Sequence, residues 1–220
     1  MRRKLERFEH NRQAENVIEK GKDLYTKIKG KWNDVYFKNN NPIVLELACG
    51  KGEYTVGLGK IFPGMNFIGI DIKGDRISRG SKNAQVNGLT NVAFLRCGIQ
   101  FLEEFFEDGE VSEIWLVHPD PQPRDKEEKR RLTNSRFLQL YKKILKPEGL
   151  FHLKTDSDFL YEYSFEVIKN DSDLIVLDQT TDLYTSDLLP EHHEIKTYYE
   201  TFFVAKGHKI SYIKCRLNKQ

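Results

Sequence analysis

Short apolar runs alternate with longer amphipathic segments along most of this chain. The runs have the length of buried strands, and the segments between them carry apolar residues at helical spacing. The predicted strands are residues 43–47, 67–71, 92–95, 114–117 and 150–153. The predicted helices are residues 53–61, 75–87, 101–106, 134–145 and 159–169. This alternation favours the α/β fold class, with a mostly parallel sheet and helices on both faces.

The two ends of the chain depart from this alternation. Residues 174–178 and 209–216 are further strand candidates, separated by a polar stretch, and we expect the final strand to run antiparallel. Residues 6–29 are rich in charge and indicate an arm that ends in a helix. A chain of 220 residues suits one hydrophobic core. We therefore predict a basic amino-terminal arm and helix at residues 1–40 and one α/β domain at residues 41–220.

The composition excludes several classes of protein. Hydrophobic residues make up 39% of the chain and charged residues 31%, as in globular domains. No run approaches the roughly 18 apolar residues that cross a membrane, and the amino terminus lacks the apolar centre of a secretory signal. Cys49, Cys97 and Cys215 show no paired spacing, which argues against disulfides and structural zinc. We expect a cytoplasmic protein with reduced, buried thiols and no metal.

Positive charge is concentrated in two segments. The net charge is only +2, yet residues 1–40 carry 11 Lys and Arg against 6 Asp and Glu, and residues 122–146 carry 9 against 3. These segments could form a phosphate-binding surface, in which the amino-terminal arm closes over a nucleic acid. Ordinary solvated helices would give the same counts, so charge alone leaves both interpretations open.

The stretch WLVHPDPQPRDKEEKRRLT, residues 115–133, places a carboxylate beside a basic segment. An apolar strand leads here to Asp120, which lies between two prolines. Open α/β sheets hold their reacting groups at the carboxyl ends of strands, and a dense set of cations suits phosphates. The pattern therefore suggests an enzyme that acts on a nucleic acid. Asp before Pro also commonly begins a turn, which is the structural alternative for Asp120.

A second motif, LELACGKGEY at residues 45–54, predicts a nucleoside-containing cofactor. A strand carrying Glu46 passes through a small-residue turn with Gly50 and Gly52 and opens a helix. The next strand ends at Asp71, at the distance expected for an acid that binds ribose hydroxyls. Glu46 would repel a pyrophosphate but suits a cofactor with positive charge. A tight turn without a ligand is the alternative.

This arrangement resembles motif I of the class I S-adenosylmethionine-dependent methyltransferases, although Ala48 replaces the usual first glycine. The resemblance narrows further with DPQPRDKEEKRRLT at 120–133, LKTD at 153–156 and TYYE at 197–200. In this order they are similar to the motifs of the bacterial tRNA (guanine-N7)-methyltransferase family. The resemblance implies a Rossmann-like fold, S-adenosyl-L-methionine as cofactor and methyl transfer to a guanine in the variable loop of tRNA. A methyltransferase on another RNA or a protein, or a non-catalytic tRNA-binding protein, are the alternatives.

The resemblance also implies roles for individual residues. Asp120 stands at the position of the catalytic, cofactor-proximal aspartate. The positions implied for the cofactor are Glu46, Gly50, Gly52, Asp71, Gly98, Ile99 and Asp120. The positions implied for the substrate are Arg124, Asp156, Thr197, Tyr199 and Glu200. The partner is tRNA, and the protein is expected to be a monomer or a homodimer.

Three further differences separate this chain from the family pattern. Gln122 replaces a tryptophan, residues 126–128 replace a basic triplet with Lys-Glu-Glu, and Gly98 stands where an aspartate borders the adenine. We therefore expect backbone groups near Gly98 and Ile99 to recognise the adenine.

The expected chemistry needs no strong base, because N7 of guanine already exposes a lone pair. The enzyme must align N7 with the methyl–sulfur bond and stabilise the positive charge that moves onto the purine. We assign Asp120, together with Asp156 and Glu200, to the N1–H and N2–H₂ edge of the base.

Several other side chains have two interpretations. Lys129, Arg130 and Arg131 could contact phosphates or form a solvated helix start. His192 and His193 are expected to be surface residues rather than metal ligands. Trp115 and Tyr141 are expected in the core, while Tyr198 and Tyr199 could be core residues or stacking platforms for bases.

Overall fold

The structure, a computed structural model, describes residues 2–218, with side chains from residue 4 onward. The helices are α1 (Arg2–Gln13), α2 (Glu53–Ile61), α3 (Gly74–Val86), α4 (Ser135–Ile144), α5 (Asp158–Lys169) and α6 (Tyr198–Ala205). The strands are β1 (Val17–Ile18), β2 (Ile43–Leu47), β3 (Asn66–Ile70), β4 (Val92–Leu95), β5 (Val111–Val117), β6 (Leu145–Thr155), β7 (Leu174–Thr180) and β8 (Ser211–Leu217). Within residues 2–218, no helix is long and apolar enough to cross a membrane, and no cluster of His, Cys, Asp and Glu could hold a metal ion.

The strands form one eight-stranded sheet in the order β1-β4-β3-β2-β5-β6-β8-β7. From β1 to β6 neighbouring strands are parallel, whereas β8 pairs antiparallel with both β6 and β7. The predicted fold class, a mostly parallel α/β sheet that ends antiparallel, is confirmed. The chain order changes direction between β2 and β5, and open α/β sheets bind ligands at such a point.

The central strands are continuous apolar runs because both faces of the sheet are covered. Every residue of β2, β3 and β4 is buried. Side chains alternate between two apolar clusters, with Leu45 and Leu47 in one and Val44 in the other. Glu46 follows the alternation of Val44, so its carboxyl group lies among apolar side chains at the end of β2.

One predicted helix has a different form in the structure, and one helix was not predicted. The helix predicted at 101–106 is a 3-10 helix at Ile99–Glu104 with a kink at Phe101. The polar stretch before the last strand contains α6, which the prediction missed. Thr197 caps α6 by accepting the backbone N–H of Glu200, and the Glu200 carboxylate accepts the N–H of Thr197. This is a capping box, whose T-x-x-E signature was present in the sequence.

The amino-terminal arm begins with α1, and the helix predicted at its end corresponds to a 3-10 helix at Asp23–Thr26, which a π-helix at Trp32–Phe37 follows. α1 packs against α3: the buried Asn11 amide donates to the Gly74 carbonyl at 2.7 Å, and His10 contacts Ser81 at 2.9 Å. The following strand β1 extends the sheet beside β4. The domain boundary at residue 40 stays a prediction.

Candidate active site

A cavity of about 360 Å³ opens where the carboxyl ends of β2, β5 and β6 meet. Six of the residues that sequence motifs selected line it: Glu46, Gly50, Asp120, Asp156, Thr197 and Tyr199. The remaining residues of its lining are Ala48, Cys49, Lys51, Glu53, Arg76, Val117, His118, Pro119, Pro121 and Phe203. The fold therefore joins motifs that lie up to 150 residues apart in the chain.

Left-handed backbone shapes the turn after β2. Ala48, Gly50 and Gly52 have φ of 55°, 57° and 69°, values that side chains with a Cβ rarely adopt. A Cβ on Gly52 would lie 2.6 Å from the Phe94 ring, so glycine is required there. A Cβ on Gly50 would meet no atom within 4 Å, which leaves this backbone open on the cavity side. Ala48 adopts this left-handed conformation at the position where the resemblance to motif I led us to expect a glycine.

The Glu46 carboxyl group lies under this turn and is held by neutral donors. It accepts a hydrogen bond from the Thr55 N–H at 2.7 Å and a short one from the Thr55 hydroxyl. Glu46 is buried, and burial raises the pKa of its carboxyl group to about 8. At neutral pH Glu46 is therefore mostly protonated in the cofactor-free protein.

Asp71 stabilises the turn from the next strand. One carboxylate oxygen accepts the Gly50 N–H at 2.9 Å, and the other accepts the Lys73 N–H at 2.7 Å. Each oxygen keeps a second lone pair. Asp71 is buried just outside the cavity lining, as is Gly52, the residue that begins α2.

Gly98 and Ile99 lie after β4, also outside the cavity lining. The amide group of Gln100 occupies the space beside Gly98, because a Cβ at Gly98 would lie 2.7 Å from Gln100 Oε1. Gln100 thus presents a polar group beside the position where the resemblance led us to expect an aspartate. The role of Gly98 and Ile99 at the adenine stays a prediction.

The loop after β5 brings Asp120 to the cavity. Its side chain is exposed and lines the wall between Pro119 and Pro121. Gln122, at the position of the family's tryptophan, has a left-handed φ of 48°. Its carbonyl accepts a hydrogen bond from the Arg131 Nε at 3.1 Å, which anchors the loop.

Arg131 is a structural residue, so neither predicted interpretation holds for it. It is buried, and its guanidinium lies over the rings of Phe159 and Tyr163 at 4.7 and 4.4 Å. Lys129 and Arg130 are exposed, and so is Arg124, which lies outside the cavity. Their predicted contacts with RNA remain compatible with these positions.

A charged network forms the wall opposite the glycine-rich turn. His118 contacts the Asp156 carboxylate through Nδ1 at 3.0 Å and the Glu200 carboxylate through Nε2 at 3.4 Å. Burial disfavours the charged imidazole, but hydrogen bonds from the ring to both carboxylates raise the pKa of His118. The His118 hydrogen bond in turn lowers the pKa of Asp156. No role was predicted for His118 from the sequence, although it is a polar residue directly after an apolar strand.

Glu200 is the fully buried centre of this network. Its carboxylate accepts hydrogen bonds from the Lys154 ammonium at 2.6 Å and the Tyr184 hydroxyl at 2.7 Å. Burial alone would raise its pKa, but hydrogen bonds and charge from His118 and Lys154 lower the pKa to about 2. Glu200, Lys154 and Tyr184 lie outside the cavity lining. A direct contact of Glu200 with the base stays a prediction.

Helix α6 places aromatic side chains at the mouth of the cavity. Tyr198 and Tyr199 are 65% and 57% exposed, which excludes the core interpretation for both. The Lys51 ammonium lies 4.8 Å from the Tyr198 ring centroid and 5.9 Å from that of Tyr199. An exposed ring next to a cation suits the stacking of a base.

Predictions for several core residues are also settled. Trp115, Tyr141 and the three cysteines are buried, and the cysteines are free, as predicted. The surface prediction was wrong for His192, which packs against the rings of Trp115 and Tyr212. Burial lowers the pKa of His192 to about 3, so the ring is neutral.

Comparisons with known proteins place the chain in a family. A family model described as "Putative methyltransferase" matches residues 40–213. The tRNA (guanine-N(7)-)-methyltransferase of Cytophaga hutchinsonii is 46% identical over 97% of this chain and 96% of its own length. The enzyme of the same name from Christiangramia forsetii is 47% identical over 97% of each chain, and that from Listeria welshimeri 35% over 97% of this chain and 99% of its own.

Solved structures share the fold at low sequence identity. The 16S rRNA methyltransferase KamB has a TM-score of 0.64 at 13% identity, covering 84% of this chain and 92% of its own. An antibiotic-related methyltransferase has a TM-score of 0.62 at 18% identity, covering 93% and 97%. The predicted resemblance and Rossmann-like fold are confirmed. The chain belongs to the tRNA (guanine-N(7)-)-methyltransferase family of class I, S-adenosylmethionine-dependent methyltransferases.

Proposed function

We propose that this chain transfers the methyl group of S-adenosylmethionine to N7 of a guanine in the variable loop of tRNA. One observation carries the proposal: a single cavity, where the strand order changes direction, contains the glycine-rich turn together with Asp120 and Asp156. The relatives, which match over nearly their whole length, are named for methyl transfer to guanine N7 of tRNA.

The lining of the cavity fits this cofactor. Carboxyl groups of Glu46, Glu53 and Asp120 face a space that a sulfonium and an amino group would enter, and phosphates would be repelled there. When bound, the cofactor supplies an electrophilic methyl group. The residues that would hold it are Glu46, Gly50, Gly52, Asp71, Gly98, Ile99 and Asp120.

Asp120 and Asp156 would bind the guanine on the other side of the cavity. A carboxylate accepts the N1–H and N2–H₂ donors of guanine, and these hydrogen bonds strengthen as positive charge develops on the purine. Methyl transfer then needs alignment and charge stabilisation but no proton removal at N7. Thr197 and Tyr199 would border the same base, while Arg124 and Glu200 would act from outside the lining.

The surface around the cavity suits a folded RNA. Lys51 and Arg76 lie in the lining, Tyr198 lies at its mouth, and exposed Lys129 and Arg130 follow the Asp120 loop. These cations would bind phosphates, and the exposed ring would stack on a base near the target guanine. A stacked target guanine would have to leave its neighbours to reach the methyl group. Since the substrate is tRNA, we infer that the protein acts in the cytoplasm, as a monomer or a homodimer.

The test is transfer of labelled methyl from S-adenosylmethionine to unmodified tRNA, followed by digestion and identification of the nucleosides. The proposal expects 7-methylguanosine as the labelled product. A different methylated nucleoside, or labelled protein, would indicate a methyltransferase with another substrate. Binding of tRNA and cofactor without incorporation would indicate a non-catalytic tRNA-binding protein.

A further inference from the structure

His118 joins three separate elements at the wall of the cavity. It follows β5, Asp156 follows β6, and Glu200 lies in the first turn of α6. The two ring nitrogens lie 3.0 Å from an Asp156 oxygen and 3.4 Å from a Glu200 oxygen. A carboxylate that is ionised only accepts hydrogen bonds, so both contacts require a ring that carries a proton on each nitrogen.

The backbone holds this ring in one place. His118 has a left-handed φ of 47°, which is uncommon for a residue with a Cβ and frequent at functional sites. Its N–H donates to the Lys154 carbonyl at 2.8 Å, which continues the pairing of β5 with β6. The side chain is 11% exposed and forms part of the cavity lining. His118 is thus rigid, nearly enclosed and adjacent to the predicted guanine site.

The two carboxylates differ in what else holds them. Glu200 also accepts hydrogen bonds from Lys154 and Tyr184, and its carboxylate accepts the N–H of Thr197 in the capping box of α6. The Asp156 side chain is 29% exposed, and the His118 ring holds its carboxylate. Loss of a proton from His118 would therefore release Asp156 first, since Glu200 keeps its other donors.

We propose that His118 is a positioning residue: it fixes the Asp156 carboxylate toward the guanine edge by linking it to the buried Glu200 of α6. The inference rests on the proposed function for its consequence in catalysis, but the linkage itself can be tested without turnover. His118 does not exchange a proton with the substrate. Its part is to keep an acceptor in one orientation before the base arrives.

The linkage between His118 and the two carboxylates should weaken as pH rises. Burial opposes the charge of His118, yet the hydrogen bonds to Asp156 and Glu200 raise its pKa above the usual 6.5. The imidazolium is therefore complete below the usual pKa and is lost as pH rises through the raised pKa. The other charged or titratable groups at the cavity are Glu46, Cys49, Lys51, Glu53, Arg76, Asp120 and Tyr199, and Lys154 and Tyr184 adjoin through Glu200. A pH effect must therefore be assigned to His118 through variants.

The first test measures the ring without any reaction. In long-range ¹H–¹⁵N spectra of the wild-type protein, with His118→Phe for assignment, His118 should be doubly protonated at pH 5.5, below the usual pKa. It should titrate above the usual pKa, and Asp156→Asn should move that midpoint downward. A neutral His118 at pH 6.5, or a midpoint that Asp156→Asn leaves unchanged, would overturn the linkage.

The second test measures catalysis. His118→Phe keeps a ring but has no donors, and it should lower kcat/KM for tRNA about tenfold while cofactor Kd changes less than about twofold. His118→Gln keeps one donor and should be intermediate. The alkaline decline of wild-type kcat/KM that follows the His118 titration should be absent from both variants. The matched control is His192→Phe, a change at another buried histidine outside the cavity, which should keep that decline.

A double variant shows whether the effect passes through Asp156. His118→Phe combined with Asp156→Asn should lose little more activity than Asp156→Asn alone, because the two residues act as one unit. Full additivity, or a His118→Phe enzyme with unchanged kcat/KM and pH profile, would overturn the proposal. If wild-type protein produces no 7-methylguanosine, the proposed function fails, whereas the spectroscopic test of the linkage still gives its own answer.

Discussion

Glu46 and Glu200 are both buried glutamates beside the same cavity, yet their ionisation is opposite. Burial raises the pKa of Glu46 to about 8, whereas the pKa of Glu200 is lowered to about 2 despite its burial. The partners explain the difference: Glu46 accepts hydrogen bonds from the uncharged Thr55, and Glu200 is held by Lys154 and His118. Burial alone therefore does not decide the charge of a carboxyl group; the charge of its donors does.

The two sides of the cavity also differ in whether uncharged or charged groups shape them. The turn beside Glu46 is shaped by backbone, through left-handed residues and N–H groups bound to Asp71. The opposite side is shaped by charged side chains that are already ionised before any ligand binds. A positively charged cofactor can therefore favour ionisation of Glu46 on the first side. The second side presents a carboxylate of fixed orientation to the guanine. The following predictions test this difference, in order of decreasing effect.

Breaking the charged side should have the largest effect. Lys154→Met leaves Glu200 buried without its ammonium partner, and loss of one member of a buried pair costs about 3–5 kcal/mol of unfolding free energy. Urea unfolding of wild type and variant at pH 7 measures the change. Lys143→Met, at an exposed ion pair with Glu103, is the control and should leave the midpoint nearly unchanged. A loss below about 1 kcal/mol for Lys154→Met would show that the network is dispensable for stability.

The stability should also depend on acid in a defined window. The pKa of Glu200 is depressed from 4.5 to about 2. Its contribution is therefore complete above 4.5 and is lost as pH falls toward about 2. In Lys154→Met this part of the acid dependence should be smaller than in wild type.

Removing the charge of Asp120 should have the next largest effect. Asp120→Asn keeps the shape of the cavity wall but loses an anionic acceptor for the guanine, and we expect single-turnover methyl transfer to fall about 100-fold. Cofactor affinity should change much less. Rapid-quench assays with excess enzyme measure the step. Asp125→Asn, at an exposed aspartate that begins the 3-10 helix after this loop, is the control. An unchanged rate in Asp120→Asn would remove Asp120 from catalysis.

The glycine-rich side was accessible from sequence because its parts are local. One strand, one turn and one helix contain Glu46, Gly50 and Gly52, and β2 and α2 have the predicted bounds. The charged side depends on residues 118, 154, 156 and 200, which only the sheet order brings together. The buried state of Arg131 and His192 likewise depends on aromatic rings from distant elements, so charge and position along the chain gave the wrong expectation for both.

Two helices illustrate the same dependence on tertiary contacts. The helix predicted at 101–106 became a 3-10 helix because tertiary contacts override a short apolar pattern. α6 was missed because its aromatic residues stay exposed instead of forming a buried stripe, so only the capping box announced it. Local sequence motifs therefore predicted elements regardless of burial. Apolar spacing predicted a helix correctly only where its apolar face is buried in the structure.

The backbone-shaped side should respond to pH through Glu46. With a pKa of about 8 in the cofactor-free protein, Glu46 must lose a proton to pair with a cationic cofactor. Cofactor binding should therefore strengthen about 25-fold between pH 6.5 and 8.5, and at neutral pH it should release a proton. Calorimetry in buffers of different ionisation enthalpy measures both quantities. Glu46→Gln should bind with weaker, nearly pH-independent affinity; a wild-type affinity that is equally flat would contradict the assignment.

The smallest expected effect lies at the mouth of the cavity. Tyr198→Ala removes an exposed ring beside Lys51, and loss of one stacked base is worth about 1 kcal/mol, so KM for tRNA should rise about fivefold. Cofactor affinity and kcat should be unaffected. Leu177→Ala, which changes an exposed apolar side chain on the edge strand β7, is the control. An unchanged KM for Tyr198→Ala would mean that this ring does not contact RNA.

The most direct measurement uses a tRNA in which the variable-loop guanine alone is replaced by 7-deazaguanine. This base keeps the N1–H and N2–H₂ edge that Asp120 and Asp156 would bind, but it has a C–H group in place of N7. We expect the modified tRNA to bind nearly as well as the unmodified one and to accept no methyl group. Methyl incorporation at the unmodified rate would contradict it, because the methyl group would then go to a different atom.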